Sequence, residues 1–149
     1  MKLRLTALLI GVLLPLSALS NPRVVPEDVL SGWGYETTHL EKHQTIRQIE
    51  PLPDKEERWH PRFDLWSECL DSNDAALQHM ATKEAEIEAE RAIIYKGGLG
   101  MLVRGECVYF ISAHGTFFML EFQPFIMQKL EEHLCPNQKC TRSTQLDDL

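Results

Sequence analysis

Apolar and polar positions along the chain change rhythm several times, and each change predicts an element. Leu5 to Leu16 is an uncharged run of twelve residues, preceded by Lys2 and Arg4 and followed by the small residues Ala18 and Ser20. A cationic start, a short apolar stretch and small residues ahead of a cut are the layout of a secretory signal, here ending at Ser20. The run is too short to span a membrane, which takes roughly 20 apolar residues. No cysteine lies near its end to take a lipid anchor, and no later segment is apolar enough to cross a bilayer.

Residues 21–61 read as an irregular arm, interrupted by Pro22, Pro26, Pro51, Pro53 and Pro61. Each proline removes a backbone donor and restricts the residue before it. Within the arm, Thr38-His39-Leu40-Glu41 has capping-box spacing, and Leu40, Ile46 and Ile49 give the following residues a narrow apolar face. A short helix ending before Pro51 is the expectation. Ser31-Gly32-Trp33-Gly34-Tyr35 reads as a turn that carries two aromatics.

A 3.6-residue rhythm follows from Asp74 to Lys96. Ala76, Met80, Ile87 and Ile94 fall on one face, with Asn73 or Asp74 as the cap and Gly97-Gly98 as the stop. Ala81, Ala85, Ala89 and Ala92 form a small-residue face, and glutamates fill much of the remainder. The period then becomes strand-like over Leu99–Arg104, Cys107–Ser112 and Thr116–Phe122, joined at Gly105-Glu106 and Ala113-His114-Gly115. Val108, Phe110 and Ser112 would share one face of the middle strand, and Cys107, Tyr109 and Ile111 the other. A last helix is expected over Phe125–Leu134, stopped by Pro136, with Thr141 to Leu149 as a frayed tail. The fold class is α+β: a long Ala/Glu-rich helix on a three-stranded antiparallel meander, with a short C-terminal helix. The compact domain spans residues 62–140, between the Pro-rich arm of 21–61 and the tail of 141–149.

Charge narrows the partners. The chain has 149 residues, with 15 Lys+Arg against 22 Asp+Glu and a net charge of −7. Without residues 1–20 it has 129 residues and 13 Lys+Arg against the same 22 acids, or −9. That balance disfavours nucleic acid and anionic membranes and favours a basic protein partner.

Cys69, Cys107, Cys135 and Cys140 are even in number in a chain addressed to an oxidising compartment, so two disulfides are expected. Closure of the short Cys135–Cys140 loop would leave Cys69 for Cys107, with two crossed pairings as the alternatives. A zinc site at His133, Cys135 and Cys140 is the rival, but the spacing matches no common finger. There is no Cys-x-x-Cys pair and no haem-attachment motif.

Candidate catalytic groups are sparse. Cys69 ahead of a helix and His114 beside a strand follow the general order of small secreted cysteine peptidases. Ser67-Glu68-Cys69-Leu70 is not their nucleophile motif, however, and a nucleophilic thiol must be free. His39 and His43 stand four apart on the expected short helix, a spacing that clamps zinc, yet Glu41 is misplaced for either histidine–glutamate protease motif. No Gly-x-Ser-x-Gly elbow, Walker loop or calcium loop is present. No cofactor is implied.

The most unusual composition is Trp59-His60-Pro61-Arg62-Phe63-Asp64-Leu65-Trp66. Trp59, Arg62, Phe63 and Trp66 are residue types that anchor interfaces, or that pack an arm onto a sheet with Arg62 over a ring. The expectation is a soluble, non-enzymatic periplasmic or secreted protein that binds another protein. The alternative is a small envelope hydrolase using Cys69 and His114, or a metal held by His39 and His43.

Overall fold

The computed structural model describes residues 23–52, 60–91, 99–113, 123–138 and 140–143. In chain order these form α1 (Glu27–Gly32), β1 (Tyr35–Leu40), β2 (Gln44–Gln48), β3 (Arg62–Cys69), α2 (Asn73–Arg91), β4 (Leu99–Arg104), β5 (Cys107–Ala113), α3 (Gln123–Leu134) and β6 (Thr141–Arg142). The class is α+β, as expected, but the described residues give the sheet six strands rather than three. The strand order is β1-β2-β3-β5-β4-β6, and every neighbouring pair is antiparallel.

Two corrections account for most of the added strands. The stretch read as an irregular arm with a short helix contains the β1–β2 hairpin, and β2 continues the sheet onto β3. The capping-box residues Thr38 and Glu41 therefore sit on a strand and in a turn. At the other end, Thr141 and Arg142 pair with Val103 and Leu102 instead of fraying. Ser143 is buried, its N–H donating to Met101 O at 3.0 Å and its Oγ accepting from Met101 N at 3.3 Å. The expected signal segment, the strand over 116–122 and the last six residues lie outside the described residues.

Strand alternation sends successive side chains to opposite faces, and each face has its own core. On one, Ile46, Phe63, Leu65, Leu102 and Ile111 meet Leu30 of α1 and Ile126, Met127, Leu130 and Leu134 of α3. On the other, Met101, Val103, Val108 and Phe110 meet Ala76 and Met80 of α2. The split of β5 into these faces follows the expected alternation.

Helix α2 starts as polar capping predicts, although the cap is Ser72 rather than Asn73 or Asp74. Ser72 Oγ accepts from Ala75 N at 3.1 Å, which frees Asn73 to donate to Gly105 O at 2.6 Å. Gly100 permits the approach of α3. A Cβ there would lie 2.6 Å from Ile111 Cγ2 and 3.1 Å from Met127 Sδ, so any side chain would force Ile111 of β5 and the α3 side chains above it to shift.

Cys69 bonds Cys107 and Cys135 bonds Cys140. Cys69 and Cys107 are register partners on β3 and β5, with Cα atoms 4.0 Å apart. By chain entropy the long loop contributes about 4 kcal/mol and the short one about 2 kcal/mol. Buried Gln44 performs a different tie. Its Oε1 accepts from Val24 N and Val25 N, both at 2.9 Å, while Nε2 donates to Val25 O at 2.7 Å and Thr37 Oγ1 at 2.9 Å. All four bonding positions of this amide are filled, as burial requires.

Candidate functional site

The long helix covers only part of its face. Helix α2 packs on β4 and β5, and the same face continues across β1, β2 and β3 with no covering helix among the described residues. Alternation places Glu36, Thr45, Arg47, Arg62, Asp64 and Trp66 on that continuation. A register shift between Thr37 and His39 brings Thr38 and His39 to its rim. An open groove of about 530 Å³ lies on the β1–β3 surface, lined by Glu36, Thr37, Thr38, His39, Thr45, Arg47 and Arg62.

The groove floor is held by side-chain bonds across the strands. Arg47 pairs with Glu36 of β1, its Nε 3.1 Å from Glu36 Oε1. Thr45 Oγ1 donates to Asp64 Oδ1 at 2.7 Å, and Thr38 Oγ1 donates to Thr45 O at 3.4 Å. Arg62 is exposed and makes no hydrogen bond or ion pair among the described residues.

An aromatic row separates this polar half from the half under α2. The His43 ring lies 4.6 Å from Trp66, and Trp66 stacks on Phe110 at 5.0 Å with an interplanar angle of 8°. His79 of α2 meets Phe110 edge-on at 6.2 Å, and its Nε2 lies 2.7 Å from Glu68 Oε2. Offset and edge-on arrangements of this kind add about 0.5–1.5 kcal/mol each beyond area burial.

At the outer edge, Glu27 Oε2 accepts from Thr37 N at 3.3 Å, while Arg23 Nη1 lies 3.2 Å from Glu27 Oε1. The hydrogen bond from the Thr37 side chain is the main influence that holds the Glu27 carboxyl below the usual range, against a smaller opposing effect of burial. One edge donor of β1 is thereby occupied by a side chain, a means by which sheet edges avoid pairing with other chains.

The residues singled out in the sequence are distributed unevenly. Arg62 lies on the groove, whereas Trp66 is half-buried against His43 and Phe110 farther along the same face and does not line it. Phe63 is fully buried on the opposite face, so the aromatic cluster is divided by strand alternation and does not form one surface. Trp59 lies outside the described residues. Cys69 is bonded to Cys107 and has no thiol to act as a nucleophile, and His114 lies outside the described residues. His39 is on β1, 3.5 Å from Glu41, and His43 is in the turn against Trp66, so the two do not share a helix face. His133 ends α3 edge-on to Trp33 at 6.1 Å, beside the disulfide-bonded Cys135. No group of three or more His, Cys, Asp or Glu side chains that could hold a metal occurs among the described residues.

Glu36, Thr45 and Arg47 were missed by sequence reasoning. The signal for Thr45 and Arg47 was polar alternation in Gln44-Thr45-Ile46-Arg47-Gln48, which contains a single apolar residue. No family model, curated protein or solved structure matches the chain, so the site is read from its own chemistry.

Proposed function

We propose that this is a small, non-enzymatic protein of the periplasm or extracellular space that binds another protein through the β1–β3 face. The observation that carries the reading is the half-covered sheet: α2 stops at the Trp66–Phe110 row, and a polar groove with exposed Arg62 continues beyond it. Arginine, which lines this groove, and tryptophan, which stands farther along the same face, are residue types that supply much of the binding energy in interfaces. Two disulfides support an oxidising compartment. No helix among the described residues is long and apolar enough to cross a membrane.

Net charge acts at longer range. Without residues 1–20 the chain carries −9, which attracts a basic partner, and association is expected to slow as salt rises. The direct test is affinity capture from native envelope or culture medium with three baits: the wild type, Thr38→Trp, which fills the groove rim, and Gln128→Trp on exposed α3. Recovery of one partner by the wild type and Gln128→Trp, but not by Thr38→Trp, is the expected result. Equal recovery by all three baits would place the contact elsewhere and overturn the reading.

A further inference from the structure

Arg47 and Arg62 are register partners on adjacent strands, so their side chains leave the sheet side by side on one face. Like charges directly opposite in a sheet are destabilising. One of the two is relieved, since Glu36 reaches Arg47 from the next strand. Asp64, the nearest acid along β3, accepts the hydroxyl of Thr45. Arg62 remains exposed, with no acid bonded to it among the described residues, in a chain where acids outnumber bases 22 to 15. Within the described residues the Arg62 fork is thus left facing solvent.

Resting on the protein-binding reading above, we infer that Arg62, with Arg47 beside it, is the anchor for a carboxylate carried by an extended acidic segment of the partner. A guanidinium presents a planar fork that matches a carboxylate with two parallel hydrogen bonds. Glu36 is engaged by Arg47 and Asp64 by Thr45, so among the described residues the Arg62 fork is the part of this cluster open to one incoming carboxylate. Because Glu27 occupies the Thr37 N–H at the edge of β1, the segment lies across the groove rather than adding to the edge as a further strand. The acidic segment gives the local anchor, while the partner's overall charge governs approach.

The test uses fluorescence anisotropy of a labelled Asp/Glu-rich peptide and its Asn/Gln counterpart. The proteins are the full chain, Arg62→Gln, and Arg104→Gln as an exposed-arginine control on β4. The expected result is binding of the acidic peptide only, weakened roughly ten- to a hundredfold by Arg62→Gln and unchanged by Arg104→Gln. Absence of acidic-peptide binding, or equal weakening by both variants, overturns the inference. So does displacement of the peptide by inorganic phosphate at an ionic strength where sodium chloride has no effect, because the site would then read phosphate. The two readings fail separately. Loss of partner capture in Thr38→Trp without acidic-peptide binding removes the carboxylate anchor alone. Arg62-dependent peptide binding with capture indifferent to Thr38→Trp removes the protein-binding reading and leaves the anchor.

Discussion

Two halves of one sheet face are built by the same strand alternation and end in opposite states. Over β4 and β5 the outward positions are Met101, Val103, Val108 and Phe110, and α2 seals them with Ala76 and Met80. Over β1 to β3 the outward positions are Glu36, Thr45, Arg47, Arg62 and Asp64; hydrogen bonds join Arg47 to Glu36 and Thr45 to Asp64, and Arg62 stands exposed beside them. Beneath both halves the opposite face is buried from Tyr35 and Ile46 to Leu102. One hydrophobic core is therefore enough to fix β1–β3, and among the described residues no helix covers their second face.

The strongest way to break this comparison is to remove the seam between the halves. Phe110 is 1% exposed and stacked between Trp66 and α2, and Phe110→Ala should cost about 3–5 kcal/mol in a denaturant melt. A loss below about 1 kcal/mol would mean that α2 does not seal its half.

A second measurement asks whether the open half is as firmly built underneath. Burial pushes the Tyr35 phenol up from 10.0 to about 12. The folded state thus holds this proton more tightly than the unfolded chain does. Its contribution is fully present below pH 10 and is lost as pH rises through about 12. That slope should amount to roughly 2–3 kcal/mol and should be missing in Tyr35→Phe. An unchanged slope in the variant would show that the β1 side of the core is wet.

The smallest effect is the most discriminating. Arg62→Gln should change stability by no more than about 0.5 kcal/mol, because the side chain is exposed and makes no side-chain hydrogen bond or ion pair among the described residues. A larger loss, measured alongside the Phe110 variant, would make Arg62 a structural residue and erase the contrast between the halves.

The sealed half was readable in the sequence and the open half was not, for a physical reason. Helix α2 and strands β4 and β5 advertise themselves through apolar side chains repeated at 3.6 and 2 residues. Strand β2 turns Gln44, Ile46 and Gln48 toward β1's Tyr35 and Thr37, and its buried start is an amide satisfied by Val24, Val25 and Thr37. A polar residue buried by full hydrogen bonding removes the apolar mark that alternation depends on. With that mark missing, Leu40, Ile46 and Ile49 suggested a helix. In β3 the alternation of Phe63 and Leu65 with Asp64 was present, but the concentration of aromatics around it suggested a cluster. Arg62 and Trp66 were visible from residue type alone, whereas the groove that joins Arg62 to Arg47 depends on a register that one strand cannot reveal.

The bond between Cys69 and Cys107 joins β3 to β5, the two strands at which the N-terminal run β1–β3 meets the C-terminal run β5-β4-β6. The 38-residue separation between these cysteines encloses all of α2 and β4. A protease that nicks the chain once anywhere in that interval makes two polypeptides but still one covalent molecule, with the central strands held in register. Under reducing conditions the same nick would yield two separable fragments. Across this stretch, integrity rests on sulfur as well as on the peptide backbone.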